Sequence, residues 1–345
     1  MMRPVTLAEV LSFIDGLEGS GYAQVASAQS LDFTLTGFAP IASAGEYDVS
    51  FWTGDSSVET GLFGNAGGVT AAMFESVRAG LLFVPKAFAA SVEGGATKAF
   101  PNVKFVCGVE NPYHAMVQFL EHFATTVSLS KPHIPASAKV HPNAVVEGCL
   151  GENVVVGPGC VVMADSEIGD GSVLEANVTI YSNVKVGREC VFQAGSVVGS
   201  RGYGFYMYGG ERRMVPHLAG VVIGDGCSFG ANSVVAAGFI SPTKIGNHCH
   251  FDSFVQIAHN CCLGDNIMMA SQSGLAGSVT VGDNVELAGG AQSAGHLTIG
   301  SGAKVAAKAG ITKNIPENAV YAGFPAEDIA VWRRSVVRLR QMGKK

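Results

Sequence analysis

The chain has 345 residues, 48% of them hydrophobic and only 14% charged, with a net charge of −6. That balance argues against nucleic acid as the main partner, and so little charge leaves surface to hide in an oligomer. Its 45 glycines follow no G-X-Y period, which excludes collagen, and no apolar run reaches the roughly 18 residues of a membrane-spanning helix. No basic, apolar leader stands at the start, and the eight cysteines form no C-x-x-C pair; both features point to a reduced, cytoplasmic protein.

Residues 1–110 read as a small α/β domain. Thr6 can cap a helix over 7–17 with Glu9 in its first turn. Apolar runs at 31–35, 47–52 and 81–84 read as strands between Gly-rich turns. Residues 111–133 hold a helix, with Pro112 in its first turn and Met116, Phe119, Leu120 and Phe123 at helical spacing, and then a polar linker.

From residue 134 to 316 a six-residue rhythm takes over. Val156, Val162, Ile168, Leu174, Ile180, Val186, Phe192 and Val198 occupy successive slots. The rhythm resumes at Ile223, Phe229 and Val235, then from Ile245 to Ile311 with a miss at Ser293. A hexapeptide repeat predicts a parallel β-helix, with three repeats to a coil, so that residues about 18 apart are stacked neighbours. Glycine after the slot residue (Gly169, Gly187, Gly246, Gly264) is expected where a turn needs a conformation costly to other residues. Cysteines near the slots are expected to pack as small hydrophobes. Residues 200–222 and 239–244 break the count and are expected to form loops on one face. Residues 317–345 read as a turn at 321–325, then a basic amphipathic helix over 327–342 with Arg333, Arg334, Arg338 and Arg340, followed by Lys344 and Lys345.

Two histidines stand out by position in the array. His259 follows the Ile257 slot, and His296 lies close to two coils further on, about 10 Å away by strand spacing. Gly277 is one coil above His259, so its N–H could face a group attacked under His259 catalysis. Asp252 could fix the imidazole tautomer. A base, an orienting carboxylate and a backbone donor are the parts of an acyl-transfer site, although a single histidine in a repeat array is more often structural. His248 and His250 flank Cys249, but alternation along a strand turns the thiol away from both imidazoles, which disfavours zinc. The glycines between 199 and 204 precede no helix and make a weak phosphate-loop match.

Several motifs carry a family resemblance: Asn111-Pro112-Tyr113, Ala176-Asn177-Val178-Thr179-Ile180-Tyr181, Gly202-Tyr203-Gly204-Phe205, Val222-Ile223-Gly224-Asp225 and, most specific, Gln256-Ile257-Ala258-His259-Asn260. In these the chain resembles the UDP-3-O-(3-hydroxyacyl)glucosamine N-acyltransferases of lipid A biosynthesis over nearly its whole length. The resemblance implies a left-handed parallel β-helix with a uridine-binding N-terminal domain, C-terminal helices, a homotrimer and active sites between subunits. It implies a general base at His259 supported by Asp252, a second functional histidine at His296, and the acyl carbonyl near the Gly277 amide. Phe51, with Trp52 beside it, would meet the uracil, and Asn260 would contact substrate. The donor implied is a 3-hydroxyacyl thioester on the phosphopantetheine of acyl carrier protein, to which the basic tail is suited; no metal and no resident cofactor are required. Departures from the family pattern are Val235-Ala236-Ala237-Gly238 in place of a charged pair, Ala219-Gly220, and no Tyr at the spacing expected after Phe51. A CoA-dependent sugar-nucleotide acyltransferase and a non-catalytic nucleotide-binding trimer are the alternatives.

Overall fold

A computed structural model of the chain describes residues 2–16, 24–26, 34–54, 75–91, 99–124, 131–323 and 328–343. Parts of the expected first helix (17), first strand (31–33), polar linker (125–130), C-terminal turn and helix (324–327) and basic tail (344–345) lie outside them. The N-terminal elements run β1 (Val5–Thr6), α1 (Leu7–Asp15), β2 (Gln24–Ala26), β3 (Thr34–Leu35), β4 (Gly37–Phe38), β5 (Asp48–Phe51), β6 (Ala79–Pro85), α2 (Lys86–Ser91), β7 (Val103–Val109) and α3 (Pro112–Phe123). Thr6 and Glu9 start α1 as a reciprocal capping box: the Glu9 carboxylate accepts from Thr6 N–H at 2.8 Å while Thr6 Oγ1 accepts from Glu9 N–H at 3.3 Å. Asn111 caps α3, its Oδ1 accepting from His114 N–H at 3.0 Å, ahead of Pro112 at the first helical position. A sheet of order β2-β7-β6-β5-β4, parallel except for β2, forms the centre. Strands β6 and β7 are apolar on both faces because both faces are covered. One face packs Phe51, Leu81, Phe83 and Phe105 on α3; the other packs Trp52, Leu82, Val84 and Val106 around Phe100.

Residues 139–321 wind into a three-sided prism with parallel sheets of 8, 10 and 9 strands, the parallel β-helix the periodicity predicts. Strands are mostly two residues long, one outward and one inward. The inward column of one sheet runs Val156, Leu174, Phe192, Phe229, Phe251, Met269 and Leu287, all buried. Three of its rings stack, Phe192 on Phe229 at 4.8 Å and Phe229 on Phe251 at 4.9 Å. Cys160, Cys190, Cys227, Cys249 and Cys261 are buried in the same core as free thiols. Ser293, the polar slot, accepts the Ala276 N–H through Oγ at 3.2 Å. The last rung, Val320–Tyr321, pairs with Lys304–Val305, so coiling continues past residue 316.

Gly199, after the Val198 slot, takes the expected positive φ at 88°, but other glycines after the slots serve a different purpose. Gly169, Gly187, Gly224, Gly246 and Gly264 lack positive φ; the left-handed corners fall two residues later, at Gly171, Glu189, Gly226, His248 and Asn266. A Cβ at Gly187 would stand 2.6 Å from the backbone of Gly224, and one at Gly224 2.8 Å from that of Gly246. Close approach of stacked coils, not turn conformation, requires glycine there.

The coil resumes in register after both interruptions, Val186 pairing with Ile223 and Ile223 with Ile245, with a bulge between Val198 and Ser200 where the first begins. The first holds a hairpin, Phe205–Tyr208 with Glu211–Met214, closed by Gly209 and Gly210 at φ 61° and 82°. Both interruptions reach the N-terminal core, supplying Val215, Phe239 and Ile240. Helix α4 (Ile329–Met342), capped by Asp328, buries no residue and exposes Trp332, Leu339 and Met342. Among the described residues no helix is long and apolar enough to cross a membrane.

Gly224→Ala should lower stability by about 1–3 kcal/mol, the cost of overpacking. Gly310→Ala, where a Cβ meets nothing within 4 Å and φ is not positive, should be near neutral. Urea unfolding of the two variants checks this, and equal losses would refute it.

Candidate active site

One corner of the prism brings the sequence's candidates together. His259 follows strand Gln256–Ile257, and Asn260 behind it takes the left-handed corner at φ 59°. The imidazole lies over Gly277 of the next coil, whose Cβ, if present, would stand 2.6 Å from His259 Cε1 and 2.7 Å from Nε2. Gly277 is therefore where the stacking argument puts it, and only glycine admits the ring. His296 is on the coil beyond, exposed, at φ 59°, its N–H donating to Gly277 O at 3.0 Å.

The tautomer of His259 follows from its neighbours. Asn260 Oδ1 accepts the Phe239 N–H at 3.2 Å, while Nδ2 donates to Ser241 O at 3.0 Å and to Ser241 Oγ at 3.2 Å. Those backbone partners fix which end of the amide is oxygen. His259 Nδ1 lies 3.1 Å from that oxygen and must carry the proton. Nε2 keeps its lone pair, as a general base requires.

The Gly277 amide differs from its counterparts along another edge of the prism. There the corner N–H is capped by the side chain one coil on: Asn247 by Asp265 Oδ1 at 2.6 Å, Asp265 by Asp283 Oδ1 at 2.8 Å, and Asp283 by Ser301 Oγ at 3.2 Å. One coil after Gly277 stands Gly295, which has no side chain to give. The Gly277 N–H is left without that cap beside the His259 ring.

Two expectations need correction, and a third residue has a further set of contacts. Asp252 does not orient His259 within the chain. Its carboxylate accepts from Ser253 N–H at 2.7 Å and Ser271 N–H at 3.1 Å, because it belongs to another sheet and faces a groove of about 590 Å³ with His250, Met268 and Lys304. Asn260, expected to contact substrate, engages its amide with Phe239, Ser241 and the His259 ring in the structure. Phe51 and Trp52, read as a pair beside the uracil, point to opposite faces of their sheet, as consecutive strand residues must. They are 2% and 4% exposed; Phe51 meets Tyr113 and Phe239, and Trp52 meets Phe88 and Phe100. Cys249 is buried between exposed His248 and His250, and His250 Nδ1 lies 2.8 Å from Ser228 Oγ.

A residue the sequence reading passed over completes the corner. His217, returned by the first interruption, lies with its ring centroid 4.6 Å from that of His259 and is 8% exposed. Burial, and then the neighbouring His259, bring its pKa down to about 4. No periodicity marked it, since it stands in an aperiodic segment.

Two family models match the prism: "Bacterial transferase hexapeptide (six repeats)" over residues 165–200 and "Hexapeptide repeat of succinyl-transferase" over 220–251. The UDP-3-O-acylglucosamine N-acyltransferase of Hydrogenovibrio crunogenus is 40% identical over 257 residues, covering 68% of this chain and 72% of that protein. Proteins of the same name from Pseudomonas fluorescens and Ectopseudomonas mendocina are 41% and 45% identical over 178 and 175 residues. Those matches span 51% and 50% of this chain and about half the length of each relative, 51% and 50%. Among solved structures, the Francisella novicida UDP-N-acetylglucosamine acyltransferase aligns with TM-score 0.47 at 24% identity, over 59% of this chain and 73% of that one.

Two outcomes test this geometry. Asn260→Ala, which strips the acceptor from Phe239 N–H and from His259 Nδ1, should cost about 1–3 kcal/mol in thermal or urea unfolding. His217 and His114 both titrate below their ordinary 6.5, His114 through burial and then the charge of Arg213. A histidine with a lowered folded pKa stabilises fully above its unfolded value and loses that contribution as pH falls through the folded one. Stability should therefore drop between about pH 6.5 and 4, by on the order of 3 kcal/mol from His217. Unfolding curves across that range should show a shallower fall in His217→Phe.

Proposed function

The chain belongs to the UDP-3-O-acylglucosamine N-acyltransferase family, and on that footing we propose that it moves a 3-hydroxyacyl chain from acyl carrier protein to the 2-amine of UDP-3-O-acylglucosamine. The observation that carries this reading is the His259 corner: an imidazole clamped at Nδ1 by Asn260, with Nε2 free and an uncapped amide one coil away. The amine nitrogen attacks the thioester carbonyl carbon, forming the C–N bond, while His259 Nε2 takes its proton. The carbonyl electron pair moves onto oxygen, where the Gly277 N–H stabilises it. Collapse of the adduct breaks the C–S bond, and the departing thiolate recovers the proton from the imidazolium. Exposed His296, further along the same corner, is placed to meet bound substrate.

The proposed unit is a homotrimer with its sites between chains. The groove holding Asp252 exposes Met268 and Val320, 56% and 75% accessible, as a neighbour-facing surface would. Asp252 would then serve a neighbouring chain's His259 rather than its own. Helix α4, with its exposed apolar residues and Arg333, Arg334, Arg338 and Arg340, suits an acidic carrier protein.

Transfer from hydroxyacylated carrier protein to UDP-3-O-acylglucosamine tests the reading. His259→Ala should lower kcat by about 10²–10⁴. Gly277→Ala should lower it by about 10²–10³, because the new methyl displaces the ring and crowds the amide. No turnover by the wild type, or full turnover by His259→Ala, refutes the proposal. Removing α4 should raise KM for the carrier-protein donor and leave turnover of a small pantetheine thioester unchanged.

A further inference from the structure

The 200–222 interruption holds the back of the catalytic corner, and we infer that His217 is the positioning residue that keeps the His259 ring in place for proton transfer. The inference rests on His259 being the base. It comes from contacts that form a closed circuit.

His259 is gripped from three sides. Asn260 holds Nδ1 at 3.1 Å, Gly277 lies beneath the ring, and His217 covers it with centroids 4.6 Å apart at 55°. Asn260 and His217 are tied to the same short loop. Asn260 accepts Phe239 N–H and donates to Ser241 O, while Leu218 N–H donates to Phe239 O at 3.2 Å and Ala219 N–H to Gly238 O at 3.0 Å. A shift of that loop would move both grips together.

Two glycines let the segment come this close. A Cβ at Gly202 would stand 2.6 Å from His259 Cβ and 2.8 Å from His217 Nε2, and one at Gly204 2.8 Å from His217 Cε1. Val215 N–H donates to Gly204 O at 2.9 Å and closes the base of the segment. The imidazole is thus wedged between its own loop and the catalytic ring. Burial first, then His259 and Arg201, disfavour a proton on it, and the Val215 backbone, which favours one, does not offset them. It therefore stays neutral, and the proton from the acceptor amine has one imidazole to go to. Phe239 also packs on Phe51 and Tyr113, so the circuit continues into the N-terminal sheet.

The test compares His217→Ala, His217→Phe and Gly202→Ala in the full-length protein, by steady-state kinetics and by ¹⁵N NMR of the imidazoles. His217→Ala should lower kcat at least about tenfold with KM changed less than about twofold, and the single Nδ1–H tautomer of His259 should give way to a mixture. His217→Phe, which restores a ring in the gap, should recover most of the kcat and the single tautomer. Gly202→Ala should reproduce the loss with His217 still present, and it carries the test if His217→Ala does not fold. An unchanged kcat and tautomer in folded His217→Ala overturns the inference. So does failure of phenylalanine to rescue together with a displaced pH–rate profile, the mark of a proton relay. The tautomer readout needs no turnover, so a wild type without transfer activity refutes the proposed function and leaves this inference to the NMR result.

Discussion

The stacking of one coil on the next, residue on the residue 18 places along, is the constraint from which every other distance in the prism follows. Ladder hydrogen bonds between short parallel strands set the spacing, and glycines after the slot residues let adjacent corners touch. The stacking also sets up columns of side chains. Along one edge of the prism each residue caps the amide of the coil before it, through Asp265, Asp283 or Ser301. At the His259 corner the column reads His259, Gly277, Gly295. Removing two side chains makes room for the imidazole and uncaps the amide beside it. The His259 corner differs from that capped edge by carrying glycine where a capping side chain would stand.

The array cannot complete that corner alone. What orients the His259 ring on its ridge comes from the two places where the repeat is broken. The loop around Phe239 supplies the backbone groups that fix the Asn260 amide, and the longer segment returns His217 onto the ring. Both loops also bury apolar residues in the N-terminal core. The domain that the resemblance associates with the nucleotide is therefore coupled by packing to the catalytic corner. The coupling is through contiguous side chains, Phe51 to Phe239 to the Asn260 clamp, each in van der Waals or hydrogen-bond contact.

Legibility in the sequence tracked periodicity. Prism, inward slots, buried thiols and the stacking of Gly277 on His259 could all be read by counting, since a fixed repeat converts sequence distance directly into spatial distance. Counting also misled. Asp252 is near His259 in sequence but on another sheet, because the chain turns a corner between them. Phe51 and Trp52 are adjacent, and adjacency on a strand sends side chains to opposite faces. Glycine after many slots suggested a conformational need, which holds at Gly199, whereas at Gly187, Gly224 and their like a clash with the following coil was the reason, visible only once the coils are stacked.

The amino-acid sequence by itself determined the coil, its pitch in residues, and the column on which His259 and Gly277 meet, because those depend on local pattern repeated without a break. Tertiary structure alone decided which nitrogen of His259 carries the proton, that the Asn260 amide is engaged within the protein, and that His217 stands behind the ring. Those depend on where aperiodic loops come to rest, and loops are placed by contacts between residues far apart in the chain, which no spacing rule encodes.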